Sequence, residues 1–197
     1  MNLAQLQSSV IELTKRPDLA ALTFSAIQAA TLKMHHSDYY AKDLTESGVE
    51  FSSAAYLQTL EYRTVFPRWR ALKYIRCIDS TSLEPYGPSL TVISPDSFMD
   101  SYSIEKENVV YEAGQTLEIR ARNATKYFLV GCYLHPDITA EGYSSWIADN
   151  FPFSIIYDAT ATVFKTIGYA EQEASMRNLV GEQIALLKIS NIQAVGY

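Results

Sequence analysis

Residues 150–169 read NFPFSIIYDATATVFKTIGY, and this stretch decides the fold. Pro152 suits the first turn of a helix, where its missing N–H has no intrahelical partner to lose and its φ is already helical. Ile155, Ile156, Ala159, Val163 and Ile167 then recur at helical spacing. Gly168 has the place and type of a helix C-cap. A second helix follows with Met176, Val180, Ile184 and Leu187 on one side, and its periodicity runs to about Lys188. The pair reads economically as a helical hairpin.

The other end of the chain is helical too. Leu3, Leu6, Val10 and Leu13 fall on one helical face. Pro17 opens a new helix, with Asp18 at the positive end of its dipole. Leu19, Leu22, Ala26 and Ala30 make one stripe of that helix; Phe24, Ile27, Thr31 and Met34 make another. A helix apolar on two sides is expected between neighbours, here running to about His36, or to Tyr40 if the aromatic pair continues it.

From Val49 the period changes to that of strands. Tyr56 to Phe66 carries Leu60, Tyr62, Thr64 and Phe66 on one side, and Trp69 to Ile78 reads as a second strand. Residues 80–95 hold Pro85, Gly87, Pro88 and Pro95 and read as a loop. Val109 to Tyr111, Thr116 to Arg122 and Lys126 to His135 complete the strand signals. In the middle one, Leu117, Ile119 and Ala121 alternate with Glu118, Arg120 and Arg122. The expected fold class is therefore α+β: N- and C-terminal helices forming a helical bundle, with an inserted antiparallel β-sheet or barrel domain. Residues 1–46 and 147–190 make the bundle, 47–146 the β-rich insert and 191–197 a C-terminal tail.

Composition narrows the function. The chain has 197 residues, enough for one domain with a real core, or for one domain carrying a smaller inserted one. Charged residues are 19%, below the usual quarter or so, which leaves neutral surface for an assembly to cover. A formal net charge of −6 argues against a dedicated nucleic-acid binder but suits a wall that lets DNA pass without adhering. No signal peptide or membrane-spanning run is visible. Cys77 and Cys132 both fall in strand-like stretches and read as buried reduced thiols.

No catalytic constellation stands out. His35-His36 followed by Asp38 suggests a metal, but adjacent helical residues point about 100° apart, and His135 is distant in sequence. A serine nucleophile would need a histidine base and an orienting carboxylate, and no Gly-x-Ser-x-Gly is present. Glu105 and Glu107 read as a solvated pair rather than the carboxylates of a small hydrolase. Asn123-Ala124-Thr125 matches a glycosylation sequon and reads as turn residues. No phosphate loop, metal site or cofactor is expected. Tyr56, Tyr62, Tyr74, Tyr102, Tyr111, Tyr127 and Tyr133 cluster in the β region. They are open to three readings: half-buried strand aromatics, a subunit interface, or a sugar-stacking face.

The chain resembles the head-to-tail adaptors (head-completion or connector proteins) of tailed bacteriophages, including the upper tail-tube adaptors of short-tailed phages. Arg16-Pro17-Asp18-Leu19, Ala26-Ile27-Gln28-Ala29-Ala30-Thr31-Leu32-Lys33, His36-Ser37-Asp38-Tyr39-Tyr40 and Lys42-Asp43-Leu44 carry the N-terminal likeness. Phe151-Pro152, Ile167-Gly168-Tyr169 and the helix from Glu171 to Leu187 carry the rest. The resemblance implies a non-catalytic structural virion protein without cofactor. It implies many copies, commonly twelve, in a ring below the portal that meets the tail tube or nozzle protein and conducts genomic DNA without reading its sequence. It implies assembly in the host cytoplasm into the neck of the virion, with no membrane partner. C-terminal segments in that family dock on the portal, which assigns Ile189, Ile192, Val195 and Tyr197 to portal binding, in a tail that orders on contact. The alternative class is a carbohydrate-binding or surface-recognition module, which helices at both ends argue against.

Overall fold

The computed structural model describes residues 1–79, 85–98, 106–122 and 125–195. The chain divides into two compact units, one made of Met1–Asp43 with His135–Tyr197 and the other of Leu44–Leu134.

The first unit is helical. α1 (Leu3–Thr14) opens with a capping box, in which the Asn2 side chain accepts from the Gln5 amide and the Gln5 side chain accepts from Asn2 N–H. It ends at Lys15 in the left-handed region. Pro17–Leu19 form a 3₁₀ turn, and α2 (Ala20–His36) follows. After the second unit the chain returns through Asp137 and Ser144, which bridge. It then enters α5 (Trp146–Asn150), capped by the Ser145 side chain. α6 (Pro152–Thr166) stops before Gly168, whose φ of 80° ends the helix, and α7 (Ala170–Val195) runs back. Ile27, Met34, Ile155, Ile156, Leu6 and Leu187 are fully buried in one core. Beside it the Asp158 carboxylate, 5% exposed, meets Lys33 Nζ and Arg177 Nη1, each at 2.5 Å, and so ties α2, α6 and α7 together.

The second unit carries the strands. β1 (Leu44–Glu50), β8 (Tyr127–Leu134), β3 (Trp69–Ile78) and β4 (Pro85–Ser89) form one sheet in that order. β2 (Leu57–Glu61), β7 (Thr116–Arg120), β6 (Val109–Ala113) and β5 (Thr91–Val92) form the other. Two single-turn helices, α3 (Tyr62–Val65) and α4 (Pro95–Phe98), lie among these strands in the chain. Phe128, Val130, Ile75, Val110, Leu117 and Ile119 are buried in the shared core. Gly131 faces Tyr74 in the β3–β8 register, and a Cβ there would lie 2.6 Å from the Tyr74 ring.

The expected architecture is corrected on two counts. The class is α+β, but the strands do not make one antiparallel sheet or barrel. They form two open sheets, and the β5–β6 pair is parallel. The cause is visible between β2 and β3. Tyr62 and Phe66, four apart, fit a helical spacing as well as the alternating pattern, and Trp69, three further on, fits only the helical one. The chain takes the helical option there. Phe66 N–H donates to Tyr62 O at 2.7 Å, and Tyr62 stacks on Trp69 with ring centroids 4.3 Å apart. This turn directs β2 and β3 into different sheets. Nor do the helices form the expected terminal bundle. α6 is a hub against which α1, α2, α5 and α7 pack, and the helices are unequal, from 5 residues in α5 to 26 in α7. A regular bundle needs matched lengths.

Candidate functional site

The portal-binding residues proposed from sequence lie at the end of α7. The periodicity stopped at Lys188, but the helix continues to Val195, so Ile189, Ile192 and Val195 are helical rather than a free tail. Tyr197 lies outside the described residues. α7 has 26 residues and its hairpin partner α6 has 15, so at 1.5 Å per residue α7 is longer by about 16 Å. Val180 and Leu187 are buried, whereas Leu186, Ile189 and Ile192 are 49%, 53% and 52% exposed. Large side chains half in water on successive turns form a patch of the kind that binds partners.

A latch holds the overhang in place. Asn191 Oδ1 accepts from Ala41 N–H at 3.1 Å, and its amide donates to Asp38 Oδ2 and Tyr39 O, both at 3.3 Å. A small cleft lies at this contact, lined by Tyr40, Lys42, Trp146, Ser190 and Asn191. The Trp146 ring packs edge-on to Tyr40 at 5.2 Å, with Lys42 Nζ 5.0 Å from its centroid.

Behind Trp146 stands a buried polar relay that sequence reading missed. His35 Nδ1 lies 2.8 Å from Asp43 Oδ1, and His35 Nε2 lies 2.9 Å from Ser145 Oγ. Trp146 Nε1 donates to the same Asp43 Oδ1 at 2.7 Å. The donor inventory assigns the protons. A carboxylate only accepts, so His35 Nδ1 donates to Asp43, and Ser145 Oγ accepts from Ala148 N–H at 3.3 Å. The three residue types are those of a nucleophilic triad, but such a serine must present its oxygen to substrate. Ser145 is 6% exposed and His35 1%, and the serine oxygen caps α5 instead. The relay therefore acts as a clamp that joins the end of α2, the 38–43 segment and α5. Its only sequence signal was Ser145 three residues before Ala148 at a helix start; the meeting with His35 and Asp43 is tertiary.

The remaining sequence candidates have other settings. His36 and His135 do come together, with ring centroids 4.9 Å apart, and His36 Nδ1 is bonded to Leu32 O. Among the described residues no three His, Cys, Asp or Glu side chains converge on a metal-sized site. Cys77 and Cys132 are free and buried on neighbouring strands, but Cys77 pairs with Phe128 and Cys132 with Leu72, so they stand four residues apart along β8, too far to bridge. Burial pushes the Cys132 thiol up to about 11. Glu107 is exposed and pairs with Arg122 at 3.5 Å, while Glu105, Tyr102, Asn123 and Ala124 lie outside the described residues. Tyr62 and Tyr133 are buried; Tyr56, Tyr74, Tyr111 and Tyr127 are half-buried. Tyr62 donates to Glu112, and its hydroxyl is pushed up by burial and then by that carboxylate. Tyr127 donates to the exposed Glu50.

Among the described residues no helix is long and apolar enough to cross a membrane. Comparison with models of known protein families gives no match, and comparison with curated proteins gives none either.

Proposed function

We propose that this chain is a structural virion protein, a head-to-tail adaptor that assembles as a ring below the portal, joins capsid to tail and lines a passage for DNA. The observation that carries the reading is the α7 overhang: an ordered helix whose last turns turn Leu186, Ile189 and Ile192 to solvent. A surface of this kind is costly to leave wet and is covered when a partner docks. Ile189 and Ile192 are the portal contacts in this reading, and the Asn191 latch presents them already shaped, so docking orders little new chain. Two modest contacts per subunit suffice, because ring closure and portal contact reinforce each other. The net charge of −6 suits a channel wall that does not hold DNA. The work is mechanical rather than catalytic, and the proposed site of assembly is the host cytoplasm.

The carbohydrate-binding alternative would need tyrosine faces open to stack on sugars. Tyr62 and Tyr133 are buried and Tyr56, Tyr74, Tyr111 and Tyr127 half-buried, which favours the adaptor reading.

The test is co-expression with the portal protein of the same genome, followed by mass measurement and electron microscopy. The adaptor reading expects a ring of this chain on the portal. A chain that stays apart from portal while binding a glycan array would replace it with the alternative.

A further inference from the structure

The solvent side of α7 carries a second pattern. Ala174, Asn178, Gly181, Ala185, Lys188 and Ile192 recur at alternating steps of four and three, and every one is exposed. Glu182 and Ile189 flank this seam and are exposed too. Gly181 is the odd member. A glycine in mid-helix lowers helix stability, and neither of the usual intramolecular reasons applies to it. Its φ is not positive, and a Cβ built there would meet nothing within 4 Å. The missing side chain leaves open space on the helix surface.

We infer that this face pairs with the same face of a second copy, antiparallel, about a two-fold axis at Ala185. One helix supplies both halves of the fit. Counting outward from Ala185, Gly181 of one copy meets Ile189 of the other, Asn178 meets Ile192, and Glu182 meets Lys188, each twice by symmetry. The bulky isoleucine enters the gap left by glycine, and opposite charges meet. A parallel pair would set Lys188 on Lys188 and Glu182 on Glu182, so charge selects the antiparallel arrangement. One helix face is a small interface, at or below about 1,200 Å² in total, so the pairing is weak and concentration-dependent. The inference does not rest on the adaptor reading. If both hold, self-pairing covers Ile189 and Ile192 until the portal displaces the second copy.

Sedimentation equilibrium of the full chain, from micromolar to millimolar concentration and without any portal, tests it. The expected result is a monomer–dimer equilibrium that Glu182→Lys weakens about tenfold and that Glu182→Lys with Lys188→Glu restores. Ala185→Cys lies on the axis and should cross-link to itself under mild oxidation, whereas Glu171→Cys, near the far end of α7, should not; the native cysteines are buried in the other unit. A monomer at every concentration, a wild-type assembly larger than a dimer, failure of the double reversal to restore pairing, or equal cross-linking of the two cysteine variants would each overturn the proposal.

Discussion

The two units of this chain solve the problem of a unique interior in different ways. The helical unit buries charged and polar side chains in groups that bond one another, although the Thr23 and Thr160 hydroxyls are buried without a partner. His35, Asp43, Ser145 and Trp146 form one relay, and Lys33, Asp158 and Arg177 form a second group. The β unit buries rings and thiols and relies on fit: Tyr62 on Trp69, Phe51 edge-on to Phe128, Tyr74 across Gly131. Polar relays fix orientation because a misplaced donor loses its partner, whereas apolar packing tolerates volume-conserving exchange. The difference shows how the exposed end of α7 is held. The relay stands behind the 38–43 segment, and that segment latches the α7 overhang.

The largest effect should come from the apolar side of this contrast. Phe128 is fully buried, and Phe128→Ala should cost about 4 kcal/mol in urea unfolding, while Phe128→Leu costs far less. In the helical unit the order is reversed, with polarity mattering more than volume. Asp43→Ala leaves the His35 and Trp146 N–H groups without their acceptor and should cost about 3 kcal/mol. If Asp43→Ala proved as mild as a surface change, the contrast between the units would fail.

Alkaline titration sharpens the comparison at the next level. Cys132 has an ordinary thiol value of 9.0 that burial pushes up to about 11 in the fold. A raised folded value means that the unfolded chain loses its proton first. The associated stability is therefore intact below pH 9 and declines as pH rises toward 11, by about 2 kcal/mol. Urea titrations at successive pH values should record that decline, and Cys132→Ala should flatten it. A decline unchanged in the variant would assign it to other groups.

The smallest effect belongs to the latch. Asn191→Ala should lower global stability by only about 1 kcal/mol, because its three bonds are partly exposed. Hydrogen exchange should nevertheless quicken at Ala41 N–H, which loses its acceptor, and in the last turns of α7, and nowhere else. Uniform exchange along α7 in the variant would mean that the latch holds nothing.

Several elements were legible in the sequence because one short-range rule governed each. Pro152 and Gly168 bracket α6, and strict alternation marks β7, whose Leu117 and Ile119 are buried between half-buried neighbours. What was misread obeyed two rules at once. Tyr62 and Phe66 satisfy both a strand and a helix period, and Trp69, which breaks the alternation, stacks on Tyr62. β1 has a single buried residue, Val49, so its place beside β8 comes from backbone pairing that no side-chain pattern records. The end of α7 was underestimated because its apolar residues change face after Leu187: they leave the packed side and enter the solvent side. The candidate site was legible as the residues Ile189 and Ile192. The Asn191 latch and the His35 relay join positions more than a hundred residues apart and could be found only in three dimensions.

The central claim is that α7 ends in a surface built for contact and not for its own fold. The direct measurement compares Ile189→Asp with Ile192→Asp, as one double variant, against wild type, first for melting and then for assembly with the portal by native mass spectrometry. Both side chains are more than half exposed, so the account predicts unchanged melting and loss of the ring. A double variant that still forms the ring at wild-type concentrations, or one that melts many degrees lower, would contradict it.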